Sequence, residues 1–160
     1  DRIRLVIPKV SISTDIIVGF PGETRNKFES TLNLIKDIEF DKVHIAAYSP
    51  RPGTYASRKL VDDVTKEEKQ YRVKVLEEVQ RDIQSKNNKL LLGDTVEVLV
   101  DGRKRGKWQG RTRGNRLVFI EDNNRLMGRL VDVEIDSTSP WSLSGIVAKD
   151  DFQLNVEGLV

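Results

Sequence analysis

The chain has 160 residues, 38% hydrophobic and 32% charged, with 27 lysines and arginines against 25 aspartates and glutamates for a net charge of +2. That size and mix predict a soluble, globular chain of one ordinary domain or two small ones; no apolar run is long enough to span a bilayer, and nothing reads as a signal peptide. With no cysteine, disulfides and thiolate metal sites are excluded within these residues, and the one histidine, His44, cannot form a metal site alone.

Ile3, Val6 and Ile7 fall on one helical face and Pro8 stops the helix, so residues 1–7 read as the last turns of a truncated helix, and the chain as a fragment. Ser11 to Gly19 reads as a strand. Ile16, Ile17 and Val18 show no polar alternation, which predicts burial on both faces, as in a parallel sheet. The strand feeds a Gly19-Phe20-Pro21-Gly22 loop in which two glycines allow a tight bend and close approach of a bound group. Thr24 is an N-cap for a helix to about Ile38, carried by Phe28, Leu32 and Ile35, with Leu34 and Ile38 widening the stripe. Spacing alone leaves two readings open, a ligand-binding edge at a helix N-terminus or a plain strand-to-helix turn.

Lys42 to Ser49 is the next strand, again expected to be covered on both faces, and strand–helix–strand makes one right-handed βαβ unit. His44 lies mid-strand and is expected to pack in the core rather than act in chemistry. Ser49-Pro50-Arg51-Pro52-Gly53-Thr54 follows as a stiff loop holding one cation, either at a working sheet end or simply in solvent. Leu60 to Val64 is a linker. Thr65-Lys66-Glu67-Glu68 reads as a capping box opening a long helix to roughly Leu90, on Tyr71, Val75, Leu76, Val79 and Ile83.

From about Lys89 the apolar period changes to two. Strands are expected at Thr95–Val100, Trp108–Arg113, Arg116–Ile120, Leu130–Asp136 and Ser142–Val147, with a turn starting at Asp101-Gly102. Five short strands in so few residues suggest a small closed antiparallel barrel of the oligonucleotide-binding (OB-like) kind. Lys149 to Val160 has no clear pattern. Between positions 103 and 116 stand Arg103, Lys104, Arg105, Lys107, Arg111, Arg113 and Arg116 with no acidic residue. Cations gathered in this way suit a phosphate backbone, and Trp108 among them is placed to stack on an unpaired base. The open alternative is a solvated rim, with Trp108 and Trp141 filling the barrel.

Thr14-Asp15-Ile16-Ile17-Val18-Gly19-Phe20-Pro21-Gly22-Glu23-Thr24, followed by Tyr48-Ser49-Pro50-Arg51-Pro52-Gly53-Thr54 and a small β-barrel, resembles the C-terminal half of a radical S-adenosylmethionine methylthiotransferase. The barrel is similar to a TRAM domain at Leu92-Gly93, Val98-Leu99-Val100, Gly110-Arg111-Thr112 and Leu143-Ser144-Gly145. The loop at 48–54 is most like that of the MiaB-type enzymes, which add a methylthio group to an isopentenylated adenosine beside the tRNA anticodon. Arg25 and Lys27 stand where the family's helix start is usually acidic, which weakens the helix-dipole interaction there.

The resemblance implies an α/β remnant of a TIM-type barrel at residues 1–64, a connecting helix at 65–88, a TRAM barrel at 89–148 and a tail of unknown role at 149–160. It implies a cytoplasmic enzyme using S-adenosylmethionine and two 4Fe-4S clusters, whose cysteine ligands this chain lacks, so the fragment alone should be inactive. Asp15, Gly19, Phe20, Pro21, Gly22, Glu23, Tyr48 and Ser49 would line the cofactor pocket. Arg51 and the cations Arg103, Lys104, Arg105, Lys107, Arg111, Arg113 and Arg116, with Trp108, would meet tRNA. Other readings are a free-standing RNA-binding module, or a methylthiotransferase acting on threonylcarbamoyl-adenosine tRNA or a ribosomal protein. An open barrel edge would also favour self-association of the fragment.

Overall fold

A computed structural model of the chain describes residues 2–148. The elements run α1 (Arg2–Val6), β1 (Ser13–Val18), α2 (Arg25–Ile38), β2 (Lys42–Ala47), α3 (Tyr55–Lys59), α4 (Lys66–Lys89), β3 (Thr95–Lys104), β4 (Lys107–Thr112), β5 (Leu117–Ile120), β6 (Leu130–Thr138) and β7 (Leu143–Val147). Residues up to Ile83 form one compact unit and those from Gln84 another. The tail at 149–160 lies outside the described residues.

In the first unit β1 and β2 pair in parallel, from Ser13↔Lys42 to Val18↔Ala47, with α2 between them in sequence. Thr24 caps α2, its side chain accepting from the Lys27 N–H, and Glu39 ends it in the left-handed region at φ 51°. Arg4 of α1 donates to the carbonyls of Ile38 and Glu39, which the helix end leaves without an internal partner. Val18, Phe28, Ile35, Phe40, Val43, Leu76 and Ile83 form the core. Thus α2 and α4 cover the Val18–Val43 face of the sheet.

The expected burial of both faces is not met among the described residues. Side chains alternate along each strand, and the face carrying Asp15, Ile17, His44 and Ala46 is exposed. Ile17 is 58% exposed, and His44 stands opposite Asp15 on this open face instead of packing in the core. The buried stripe of α4 also differs from the expected one: Lys69, Arg72, Leu76, Gln80 and Ile83 are buried, while Tyr71 is exposed. The capping box is half used. Thr65 Oγ1 accepts from the Glu68 N–H at 3.2 Å, but the Glu68 carboxylate turns to Arg72 instead of reaching back. Helix α3 was not expected; Thr54 caps it by accepting from the Ser57 N–H.

The second unit is a closed barrel of strand order β3-β4-β5-β7-β6, with β6 returning to β3. Period-two strands place Val98, Val100, Val118, Ile120, Val133, Ile135 and Leu143 inside. Two details depart from the sequence reading. Asp101-Gly102 is an irregularity inside the continuous β3, and the hairpin turns instead at Arg105 and Gly106, both at positive φ, 51° and 83°. The barrel is also not wholly antiparallel, because β5 and β7 run parallel with Val118 opposite Leu143.

Candidate functional site

The carboxyl ends of β1 and β2 lie side by side, which brings the Gly19–Glu23 loop next to Tyr48. The Tyr48 N–H donates to the Val18 carbonyl at 2.8 Å, and the Phe20 and Tyr48 rings meet edge to face, centroids 5.1 Å apart. Glu23 closes the loop on itself: its N–H donates to the Phe20 carbonyl, and its carboxylate accepts from the Gly19 N–H.

Side chains from α4 and the 60–64 segment hold this loop from behind. Arg72, almost fully buried, donates to the Glu23 carboxylate at 2.7 Å, to the Glu23 carbonyl at 2.9 Å and to Glu68 at 2.8 Å. Burial lowers the pKa of this guanidinium, and the hydrogen bonds and charges of Glu68 and Glu23 more than offset that, leaving it above its ordinary value. Lys69, also buried, donates to both oxygens of Asp62 at 2.6 Å and sits 5.2 Å from the Tyr48 ring centroid. Gly19, at φ 70°, lies against the Lys69 stem, where a Cβ would collide. Asp63 accepts from the Gly22 N–H at 2.8 Å.

Of the residues expected to line a cofactor pocket, the structure therefore groups Gly19, Phe20, Pro21, Gly22, Glu23, Tyr48 and Ser49 at one sheet end. Asp15 lies further down the open face. The Gly19 and Gly22 N–H groups donate to the carboxylates of Glu23 and Asp63. Space remains beyond Gly22, where an added Cβ would meet nothing within 4 Å. The chain carries no thiol, so it offers no cysteine ligand to an iron–sulfur cluster. Arg51 is exposed on the next loop, where its carbonyl accepts from the Thr54 hydroxyl.

Sequence reasoning missed Asp62, Asp63, Lys69 and Arg72. The signal was there for two of them: Lys69 and Arg72 continue the spacing of Leu76 and Ile83, so two charges occupy core positions of an amphipathic helix.

In the barrel, the acid-free run of sequence does not make one acid-free surface. Strand β4 separates its cations into two groups, with Lys107 and Arg111 four residues, about 13 Å, apart along it. At the β3–β4 tip, Arg103 donates to the Gly106 carbonyl and lies 5.1 Å from the Trp108 ring centroid. Lys107 pairs with Glu121, whose carboxyl is held below the usual range by that hydrogen bond and charge. Lys104 and Arg105 are exposed and have no ion pair among the described residues. At the other end, Arg111 donates to Asn115, Arg113 pairs with Glu97 at 2.6 Å, and Arg116 is half-buried. Trp108 is half-buried against the barrel core beneath Arg103, while Trp141, expected to fill the barrel in the alternative reading, is 57% exposed.

The model of the TRAM domain family matches residues 89–148, and the closed five-stranded barrel is consistent with that match. Over nearly its whole length the chain is also similar to proteins named tRNA-2-methylthio-N(6)-dimethylallyladenosine synthase. Identity is 52% over 153 residues with that of Roseiflexus sp. (strain RS-1), covering 94% of this chain and 32% of the relative. It is 51% over 156 residues with that of Chloroflexus aurantiacus (94% and 33%). It is 39% over 162 residues with that of Geobacillus kaustophilus (99% and 30%). The chain matches the C-terminal part of these proteins. It spans about a third of the length of these relatives.

Proposed function

We propose that the chain is the C-terminal part of a cytoplasmic tRNA methylthiotransferase that modifies the isopentenylated adenosine beside the anticodon. The observation that carries this reading is the pairing, in one chain, of a braced Gly19–Glu23 loop at a parallel-strand end with a barrel bearing the cationic tip Arg103-Lys104-Arg105. The relatives' shared name supplies the substrate class. In the longer protein S-adenosylmethionine would supply the radical that activates the adenine carbon, with both 4Fe-4S clusters held by cysteines outside these residues.

On this reading Phe20, Pro21, Tyr48 and Ser49 form part of the cofactor's surroundings, Gly19, Gly22 and Glu23 set the loop's shape, and Asp15 faces the barrel interior. Lys104 and Arg105 contact tRNA phosphates, and Arg103 holds the turn that presents them. Arg51 meets a phosphate or carboxylate. The open face of β1 and β2 is covered by the remaining barrel strands in the longer protein and by a second copy in the isolated chain. Alone, the chain catalyses no methylthio transfer. The test is methylthio incorporation into tRNA by the longer protein with Lys104→Glu and Arg105→Glu. The KM for tRNA rises by about tenfold or more. An unchanged KM would contradict the assignment of the tip to tRNA.

A further inference from the structure

We infer that Trp141 is a stacking platform for an unpaired nucleobase, at the barrel end opposite the Lys104–Arg105 tip. The inference rests on the RNA-binding reading of the barrel and adds a second contact of different chemistry to it. Trp141 is 57% exposed, on the turn between β6 and β7. Trp108 cannot serve in the same way, since it packs on the core with Arg103 over its ring.

The turn beneath Trp141 is fixed. Ser139 Oγ accepts from the N–H groups of Trp141 at 3.3 Å and Ser142 at 3.0 Å, and the Ser139 N–H donates to the Ser142 carbonyl at 2.8 Å. Asn88, 6% exposed, donates from below to the carbonyls of Ser139 at 2.8 Å and Pro140 at 3.3 Å. A large aromatic on a backbone already ordered loses little freedom when a flat group stacks on it.

The strand register supplies the cations. β5 and β7 run parallel with Val118 opposite Leu143, so Arg116 and Trp141, each two residues earlier, enter the barrel at the same rim. Arg111, at the end of β4, donates to Asn115 of that β4–β5 turn, and Arg113 lies within the turn with its guanidinium paired to Glu97 of β3. An exposed aromatic beside guanidinium groups is the pattern that holds single-stranded nucleic acid, by stacking and by phosphate contact together. A duplex buries its base faces and offers nothing to stack.

The test titrates the chain with a short unstructured oligoribonucleotide and with the same strand in a duplex, following retention on filters. Trp141→Ala is expected to weaken binding of the unpaired strand about tenfold while leaving the duplex and the salt dependence unchanged. Trp141→Phe keeps most of the affinity. In Trp108→Phe, where Trp141 is the sole tryptophan, the unpaired strand quenches the emission and the duplex does not. Equal affinity of parent and Trp141→Ala for the unpaired strand overturns the proposal, as does an equal loss for both ligands. If the parent chain binds neither RNA, the RNA-binding reading falls first and the stacking role falls with it.

Discussion

Arg72 stands where the stripe of α4 would ordinarily place an apolar residue, and its guanidinium joins Glu68 of the same helix to Glu23 of the loop. Its side chain is only 5% exposed and that of Glu23 13%, so removing the cation leaves a nearly buried carboxylate unpaired. Arg72→Ala should therefore cost about 2–4 kcal/mol in chemical denaturation. Arg72→Lys should recover only part of that, because an ammonium lacks the fork that reaches both carboxylates and the Glu23 carbonyl. A loss below about 0.5 kcal/mol, the range of ordinary surface changes, would show that the network does not hold the loop.

Glu121 offers a pH signature at the barrel tip. Its carboxyl titrates below the ordinary value when folded because Lys107 donates to it. Its contribution to stability is present above the unfolded pKa of about 4.3 and is lost as pH falls through the lower, folded value. An NMR titration should show its midpoint below that of an unstructured glutamate, and Lys107→Ala should return it. A midpoint unmoved by Lys107→Ala would remove the contact.

In the barrel, β7 lies against β6 at Gly145, where a Cβ would run into the Glu134 carbonyl. Gly145→Ala should break the local β6·β7 register, seen as loss of amide protection at Ile146 and Val147 together with lower thermal stability. Retained protection at both amides would contradict the packing argument. The barrel was readable in the sequence because Val131, Val133 and Ile135 alternate with acids, and period two has one common structural solution. The parallel pairing of β5 and β7 was not, since it depends on how the barrel closes and on no local residue. The βαβ unit was likewise readable from Ile16–Val18, Phe28, Ile35 and Val43. Its one-sided cover was not, because a continuous apolar strand looks the same whether or not the second face has a partner here. The loop's brace escaped notice for a related reason: Lys69 and Arg72 look like solvated charges until Asp62 and Glu23 are brought to them.

As a whole, the molecule divides its chemistry between two units, a braced loop at a sheet end and a cationic barrel. The open face with Ile17 and Ala46 predicts concentration-dependent self-association of the isolated chain, measured by sedimentation velocity. A single monomeric species across the concentration range would contradict it. The near balance of charge hides the tip, because +2 overall coexists with Arg103, Lys104 and Arg105 in succession. The most direct measurement is the slope of log affinity for tRNA against log salt, for the parent chain and for the double variant Lys104→Ala, Arg105→Ala. The account predicts a steep dependence for the parent and a slope reduced by about 1.5 in the variant, as expected for two lost phosphate contacts. Identical slopes, or tRNA binding that salt does not weaken, would contradict it.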